Sequence, residues 1–151
     1  VAALPRPTSA GADQRQRLMD AIVEAMAQHG YRRATVTRIV KLAGFSRATF
    51  YEHFADRDEC FEAAYRRELD AVRRAVRGAV GAAAGASSSR ERPGAVLDAL
   101  VREVTADPAV ARLILVEAFA GPPRILEEHE DLVAGLETEI AAFLDAQPAS
   151  E

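Results

Sequence analysis

The stretch Thr35–Phe54, TVTRIVKLAGFSRATFYEHF, decides how this chain is read. Thr35 can accept a free amide of a first helical turn through its hydroxyl. Ile39, Val40 and Ala43 behind it are spaced for the inner face of a helix expected over Val36–Leu42. Gly44 supplies a turn, because a positive φ costs little only for glycine. Ser46 then caps a second short helix, expected over Arg47–His53. Val40, Gly44 and Phe50 stand at the spacing that locks two such helices at a steep angle: a compact residue, a turn glycine and an apolar wedge. The stretch reads as a helix-turn-helix.

The second helix has the side chains for reading duplex DNA. Arg47, Ala48 and Thr49 occupy its first turn, from which side chains can reach base edges. Arg suits guanine, and the methyls of Ala and Thr suit thymine. Tyr51 and His53 can each donate to a phosphate oxygen, as can Thr35 and Thr37 at the start of the preceding helix. Arg57 begins the next helix beside its positive end, a good phosphate position. The blander reading, in which Tyr51 and His53 only cap or pack a small domain, is favoured for either residue taken alone. It is outweighed within the whole pattern.

Charge is distributed in keeping with this. The net charge is −4, which argues against indiscriminate nucleic-acid binding. Between Arg32 and Arg57, however, six basic residues stand against Glu52 and Asp56, a local balance of +4. From Asp107 onward ten acidic residues stand against Arg112 and Arg124, a balance of −8. One end is suited to face DNA and the other to face away.

Upstream, residues 1–12 are aperiodic and read as a flexible arm, with Arg6 either a minor-groove contact or part of a plain tail. Helix 1 is expected over Asp13–His29, with the stripe Leu18, Ala21, Ile22, Ala25 and Met26. Gly30 is expected to close it as a left-handed cap, with Tyr31 folding back on Met26.

Downstream, a fourth helix follows Asp56, with Glu59 as capping partner and the stripe Phe61, Tyr65, Leu69, Val72 and Val76. It is expected to fade into a loop over residues 78–92, GAVGAAAGASSSRER. Pro93 opens helix 5, with Val96, Leu97, Leu100, Val101 and Val104. Asp107-Pro108 opens helix 6, expected to Ala120, apolar nearly all round and hence central. Gly121-Pro122-Pro123 breaks it. Helix 7 runs to about Ala146 with the seam Leu126, His129, Val133, Leu136, Ile140 and Phe143. Apolar residues make up 49% of the 151, and no run approaches the roughly 20 residues of a membrane span. With no signal peptide in evidence, an all-α, cytoplasmic protein is expected. Cys60 is the only cysteine, so no internal disulfide is possible.

The segment RRATVTRIVKLAGFSRATFYEHFADRDECFEAAY resembles the DNA-binding region of TetR-type (tetracycline-repressor-like) transcriptional regulators. The matching pieces are Thr35-Val36, Ile39, Ala43-Gly44-Phe45-Ser46, Thr49-Phe50-Tyr51, His53-Phe54 and Asp56-Arg57-Asp58-Glu59. With helices 1 and 4 the resemblance covers about residues 14–75. It implies a helix-turn-helix DNA-binding domain at 13–55, then a helical effector-binding and dimerisation domain at 56–151. It also implies phosphate contacts by Thr35, Tyr51, His53 and Arg57 and base contacts around Arg47 to Thr49. Arg38 departs from the family's usual acidic residue, and Cys60 from its usual Leu. Such regulators also carry two further helices that form a dimer's four-helix bundle. This chain begins at Val1 and reaches about the seventh helix, so either it is partial or helices 6 and 7 serve dimerisation.

In the helical body, a small apolar or amphipathic effector would be lined by Phe61, Tyr65, Leu100, Val104, Leu113, Val116 and Phe119. Glu117 and His129 are the polar residues on those apolar faces. Plain core packing is the stronger reading for any one of them. Glu127-Glu128-His129-Glu130-Asp131 lacks a Glu three residues before its His, so a solvated acidic face is expected and no metal site. There is no glycine-rich phosphate loop, nucleophile elbow or two-His zinc spacing, so no enzyme and no cofactor are expected. The expected protein is a ligand-responsive repressor binding a near-palindromic operator as a homodimer. The alternative is a helical protein–protein adaptor.

Overall fold

A computed structural model of the chain describes residues 9–84 and 92–145, and among these every regular element is helical. The order is α1 (Ser9–His29), a 3-10 turn (Tyr31–Arg33), α2 (Val36–Ala43), α3 (Arg47–His53), α4 (Arg57–Ala84), α5 (Arg92–Thr105), α6 (Pro108–Leu115), a second 3-10 turn (Glu117–Ala120) and α7 (Pro123–Asp145). The chain divides after Ala64, inside α4, into two compact units. The expected border between 55 and 56 lies in the loop before α4, ahead of that division.

In the first unit, the α1 stripe Leu18, Ala21, Ile22, Ala25 and Met26 is buried. α1 packs against α2, whose Ile39, Val40 and Ala43 are buried, as are Phe50 of α3 and Phe54. Each large side chain removed from water in this way contributes about 1.5–3 kcal/mol. α1 starts at Ser9, so residues 9–12 of the expected flexible arm are helical, while 1–8 lie outside the described residues. Gly30 has the positive φ expected, 76°, but its ψ of 161° is not left-handed helical. It leads instead into the 3-10 turn at Tyr31, whose ring packs 5.4 Å from Phe61.

Local caps set the helix ends. The Thr35 hydroxyl accepts from Arg38 N at 3.4 Å, and the Ser46 hydroxyl from Thr49 N at 3.0 Å. Gly44, at φ 71° and ψ 34°, closes α2 in the left-handed region, its amide bonded to the Val40 carbonyl. At α4, Asp56 accepts from Glu59 N at 2.8 Å. The Glu59 carboxylate reaches back to Ala55 N at 2.6 Å, one residue before the position of an ideal capping box.

The second unit corrects several expectations. α4 does not fade at Gly78 but continues to Ala84, because Val76 is buried with Val96 in a cluster that Ala79 and Val80 extend. Residues 85–91 lie outside the described residues. Helix 6 is not one central helix: it breaks at Val116, at φ −127° and ψ −56°, and resumes as a 3-10 turn. Leu113 and Ile114 are buried, whereas Leu115, Val116 and Phe119 are exposed. On α5, Val96 is buried but Leu97 and Val101 are exposed. On α7 the expected seam positions Leu126 and Val133 are exposed, and Ile125 and Leu132 are buried in their place. Adjacent apolar pairs stand at 125–126 and 132–133, and the 3.6-residue period through Ile125, Leu132, Leu136 and Ile140 selects the first of each.

Candidate nucleic-acid interface

Each expected DNA-binding residue has a definite place in the first unit. Thr35 and Thr37, at the start of α2, are exposed. So are Arg47 and Ala48 in the first turn of α3, while Thr49 is half-buried and holds the Ser46 hydroxyl at 3.0 Å. The Arg47 guanidinium lies between the two helices' polar faces, 3.4 Å from Thr37 Oγ1 and 3.4 Å from the Tyr51 hydroxyl. Tyr51 is exposed, and its ring meets the buried Phe50 edge-on at 5.4 Å between centroids. Thr37, Arg47 and Tyr51 thus form one exposed polar cluster backed by a buried aromatic wedge. Such a cluster can offer a guanidinium and two hydroxyls to base edges and phosphates.

His53 and Arg57 are more committed. His53 Nε2 is 3.2 Å from Gln14 Oε1 on α1. Arg57 is three-quarters buried at its side chain; its Nε and Nη2 donate to Asp58 Oδ1 at 2.9 and 2.7 Å, and its Nη1 donates to the Tyr31 carbonyl at 3.0 Å. The guanidinium also covers the Tyr31 ring at 4.2 Å. Tyr31 donates its hydroxyl to the same Asp58 oxygen at 2.9 Å; burial and that bond raise its phenol above the ordinary value. A phosphate taken by Arg57 has to compete with Asp58. Arg38, absent from the expected set, spends one nitrogen on the Arg33 carbonyl at 2.5 Å.

Two residues that sequence reasoning missed are Gln14 and Arg17. Arg17 Nη2 donates to the carbonyl of Ala43 at 2.8 Å and its guanidinium lies 4.6 Å from the Phe45 ring centre. Their signal in the sequence is slight: two polar positions one turn apart, beside a buried stripe.

In the second unit, the effector set is placed as follows. Tyr65 is fully buried and its hydroxyl pairs with His129 Nδ1 at 2.7 Å. Burial, and then the Glu128 charge, hold its phenol well above the ordinary range. Phe119, exposed, lies 5.3 Å from the His129 ring. Glu117 is buried and accepts from Arg112 at 2.9 Å, across the break at Val116. Leu113 is buried; Leu100 and Val104 are half-buried. Phe61 is buried in the first unit. Of the acidic run, Glu127, Glu130 and Asp131 are exposed and Glu128 pairs with Arg66. A cleft of about 260 Å³ between α4 and α7 is lined by Arg66, Leu69, Asp70, Arg73, Glu128 and Asp131, none of them in the expected set. No helix among the described residues is long and apolar enough to cross a membrane.

Comparison with known proteins agrees with this geometry. Over 68 residues the chain is 37% identical to the HTH-type transcriptional repressor AcnR of Corynebacterium glutamicum, covering 45% of this chain and 34% of that protein. Over 59 residues it is 34% identical to an HTH-type transcriptional repressor of Mycobacterium tuberculosis, covering 39% of this chain and 32% of that one. The match thus spans about a third of the length of these curated relatives. Among solved structures, the fatty acid degradation regulator FadR from Bacillus halodurans superimposes with a TM-score of 0.72 at 19% identity, over 87% of this chain and 66% of that one. A TetR family regulator from Marinobacter aquaeolei superimposes with a TM-score of 0.65 at 24% identity, over 87% of this chain and 68% of that one. At those identities the likeness is one of fold. Residues 18–64 match the bacterial regulatory proteins of the tetR family, so this helix-turn-helix segment is similar to the DNA-binding region of TetR-type regulators.

Proposed function

We propose that this chain is a DNA-binding transcriptional repressor, not an enzyme, acting in the cytoplasm as a homodimer on a near-palindromic operator. The observation that carries the reading is the exposed cluster of Thr37, Arg47 and Tyr51 on a capped α2–turn–α3 unit. In a dimer, two copies of α3 enter successive major grooves, which requires half-sites about one helical turn apart. Arg47 and the first turn of α3 read bases; Thr35, Thr37, Tyr51 and His53 hold phosphates. Arg57 joins them when Asp58 yields it.

The second unit takes a small apolar or amphipathic effector. Supporting this are the hydrogen bond between buried Tyr65 and half-buried His129 and the exposed Phe119 beside it, which offer a polar anchor next to apolar surface. α4 contributes residues to both units, so an effector that favours one state of the second unit biases the first through it. The test is selection of duplexes from the flanking promoter DNA, followed by binding at modest salt. A reproducible near-palindrome bound tightly, and released by an effector, supports the reading. Equal affinity for all duplexes would sink it and leave the protein–protein adaptor.

A further inference from the structure

We propose that Gln14 and Arg17, one turn apart on α1, are positioning residues that hold the recognition helix α3 at both ends. The proposal rests on the DNA-binding reading above. α3 has seven residues and buries only Phe50. A helix that short is not stable by itself, so its direction depends on what grips its ends. At the leading end the grip is Arg17. Ala43 is the last residue of α2, and its carbonyl is one of those a helix leaves unpaired. Arg17 supplies the donor at 2.8 Å, and its charge suits the negative end of the α2 dipole. The same guanidinium lies against the Phe45 ring, so it spans Gly44 and contacts the turn on both sides. At the trailing end the grip is Gln14, whose side-chain oxygen is 3.2 Å from Nε2 of His53, the last residue of α3. Positions 14 and 17 are three apart and therefore share a face of α1.

The consequence is for selectivity more than for affinity. Hydrogen bonds to base edges demand placement within about 0.5 Å and 10–20°. Attraction to phosphates does not, being set by charge. A recognition helix freed at its ends keeps the second and loses the first. Arg17 is exposed, so its replacement leaves the buried stripe of α1 untouched.

The experiment compares the full chain with its Arg17→Met, Arg17→Lys and Gln14→Ala variants. In the free protein, amide hydrogen exchange is followed at Phe50–Phe54 and at Ile22–Met26. Arg17→Met should raise exchange at the first set roughly tenfold and leave the second unchanged. Arg17→Lys, which keeps the charge but not the planar face, should recover part of the loss. The preference of Arg17→Met and Gln14→Ala for the wild-type's selected operator over random duplex should fall roughly tenfold, and that of Arg17→Lys by less, with the salt dependence unchanged.

Unchanged exchange at Phe50–Phe54 overturns the proposal whatever the DNA data show. Faster exchange throughout the unit also overturns it, since Arg17 would then support the whole fold and not α3. A salt slope lowered by about 1 in Arg17→Met overturns it in another way, making Arg17 a direct phosphate contact. If α3 loosens as expected while the wild type prefers no sequence, the DNA-binding reading is what fails.

Discussion

The Arg57 guanidinium covers the Tyr31 ring at 4.2 Å and donates to Asp58, which also accepts the Tyr31 hydroxyl. This knot ties the N-terminus of α4 to the turn after α1. Arg57→Ala should lower stability by about 1–2 kcal/mol, losing a cation–π contact and hydrogen bonds in a partly solvated site. Arg57→Lys should recover less than half, because an ammonium cannot reproduce the planar fork. Denaturant unfolding measures both. Full recovery by Lys would mean that charge alone matters here.

Under the phosphate role proposed for Arg57, Asp58 competes for its guanidinium. Asp58→Asn should therefore tighten operator binding, and the gain should shrink when Arg57 is already Ala. A double-mutant cycle on binding isolates the coupling. An equal gain in both backgrounds would reduce the effect of Asp58 to general charge.

The two caps of the helix-turn-helix differ in length, and their losses should differ with it. Ser46 accepts from Thr49 N at 3.0 Å, Thr35 from Arg38 N at 3.4 Å. Ser46→Ala should cost about 1 kcal/mol and Thr35→Ala less. Thermal unfolding of the two variants orders them, and a reversed order would contradict the geometry.

Glycine replacements should have opposite signs in two places. Gly44 sits at φ 71°, and an added Cβ would meet Arg17 Nη2 at 3.5 Å, an ordinary contact. Gly44→Ala should therefore cost about 1–2 kcal/mol from backbone conformation alone. Gly81 lies within α4, and nothing stands within 4 Å of an added Cβ. Gly81→Ala should stabilise by about 0.5–1 kcal/mol. Unfolding midpoints that move the same way in both would refute this account.

The helix-turn-helix was legible because its signals are local. Thr35, Gly44 and Ser46 each act on amides or dihedrals within a few residues, and the expected ends of α2 and α3 hold to within a residue. The body was less legible because its outcome depends on neighbours. Ile125 and Leu126 are equally apolar, and only packing decides that the first is buried. The glycines at 78 and 81 suggested a loop, yet burial of Val76 with Val96 carries α4 past them. At the site, residue types were readable but their partners were not. Nothing in the sequence says that Arg57 is held by Asp58, or that Arg17 reaches Ala43 across 26 positions.

Arg47 and Tyr51 should divide the work of DNA recognition, although they touch. Arg47→Ala should relax preference at one base position, costing about 1–3 kcal/mol on the best site. Tyr51→Ala should weaken all sites alike and reduce discrimination little. Binding to a panel of single-base operator variants separates the two. Similar profiles for both would overturn the division.

Tyr65 should make the protein alkali-sensitive. Burial, then the Glu128 charge, raise its phenol above the unfolded value of 10.0. A group whose folded pKa is raised contributes stability that is whole below the unfolded pKa and is lost above it. Between pH 10 and the folded value the unfolded chain has released a proton that the native chain retains, so stability falls by about 1.4 kcal/mol per pH unit. Tyr31, raised in the same direction, adds to the decline. Tyr65→Phe loses the hydrogen bond to His129 and should be less stable at neutral pH, yet its decline above pH 10 should be shallower by one titrating group. Denaturant unfolding at pH 8, 10 and 11 gives the two slopes. Parallel slopes would mean that the Tyr65 hydroxyl is already wet in the native protein, and the buried polar anchor offered to an effector would go with it.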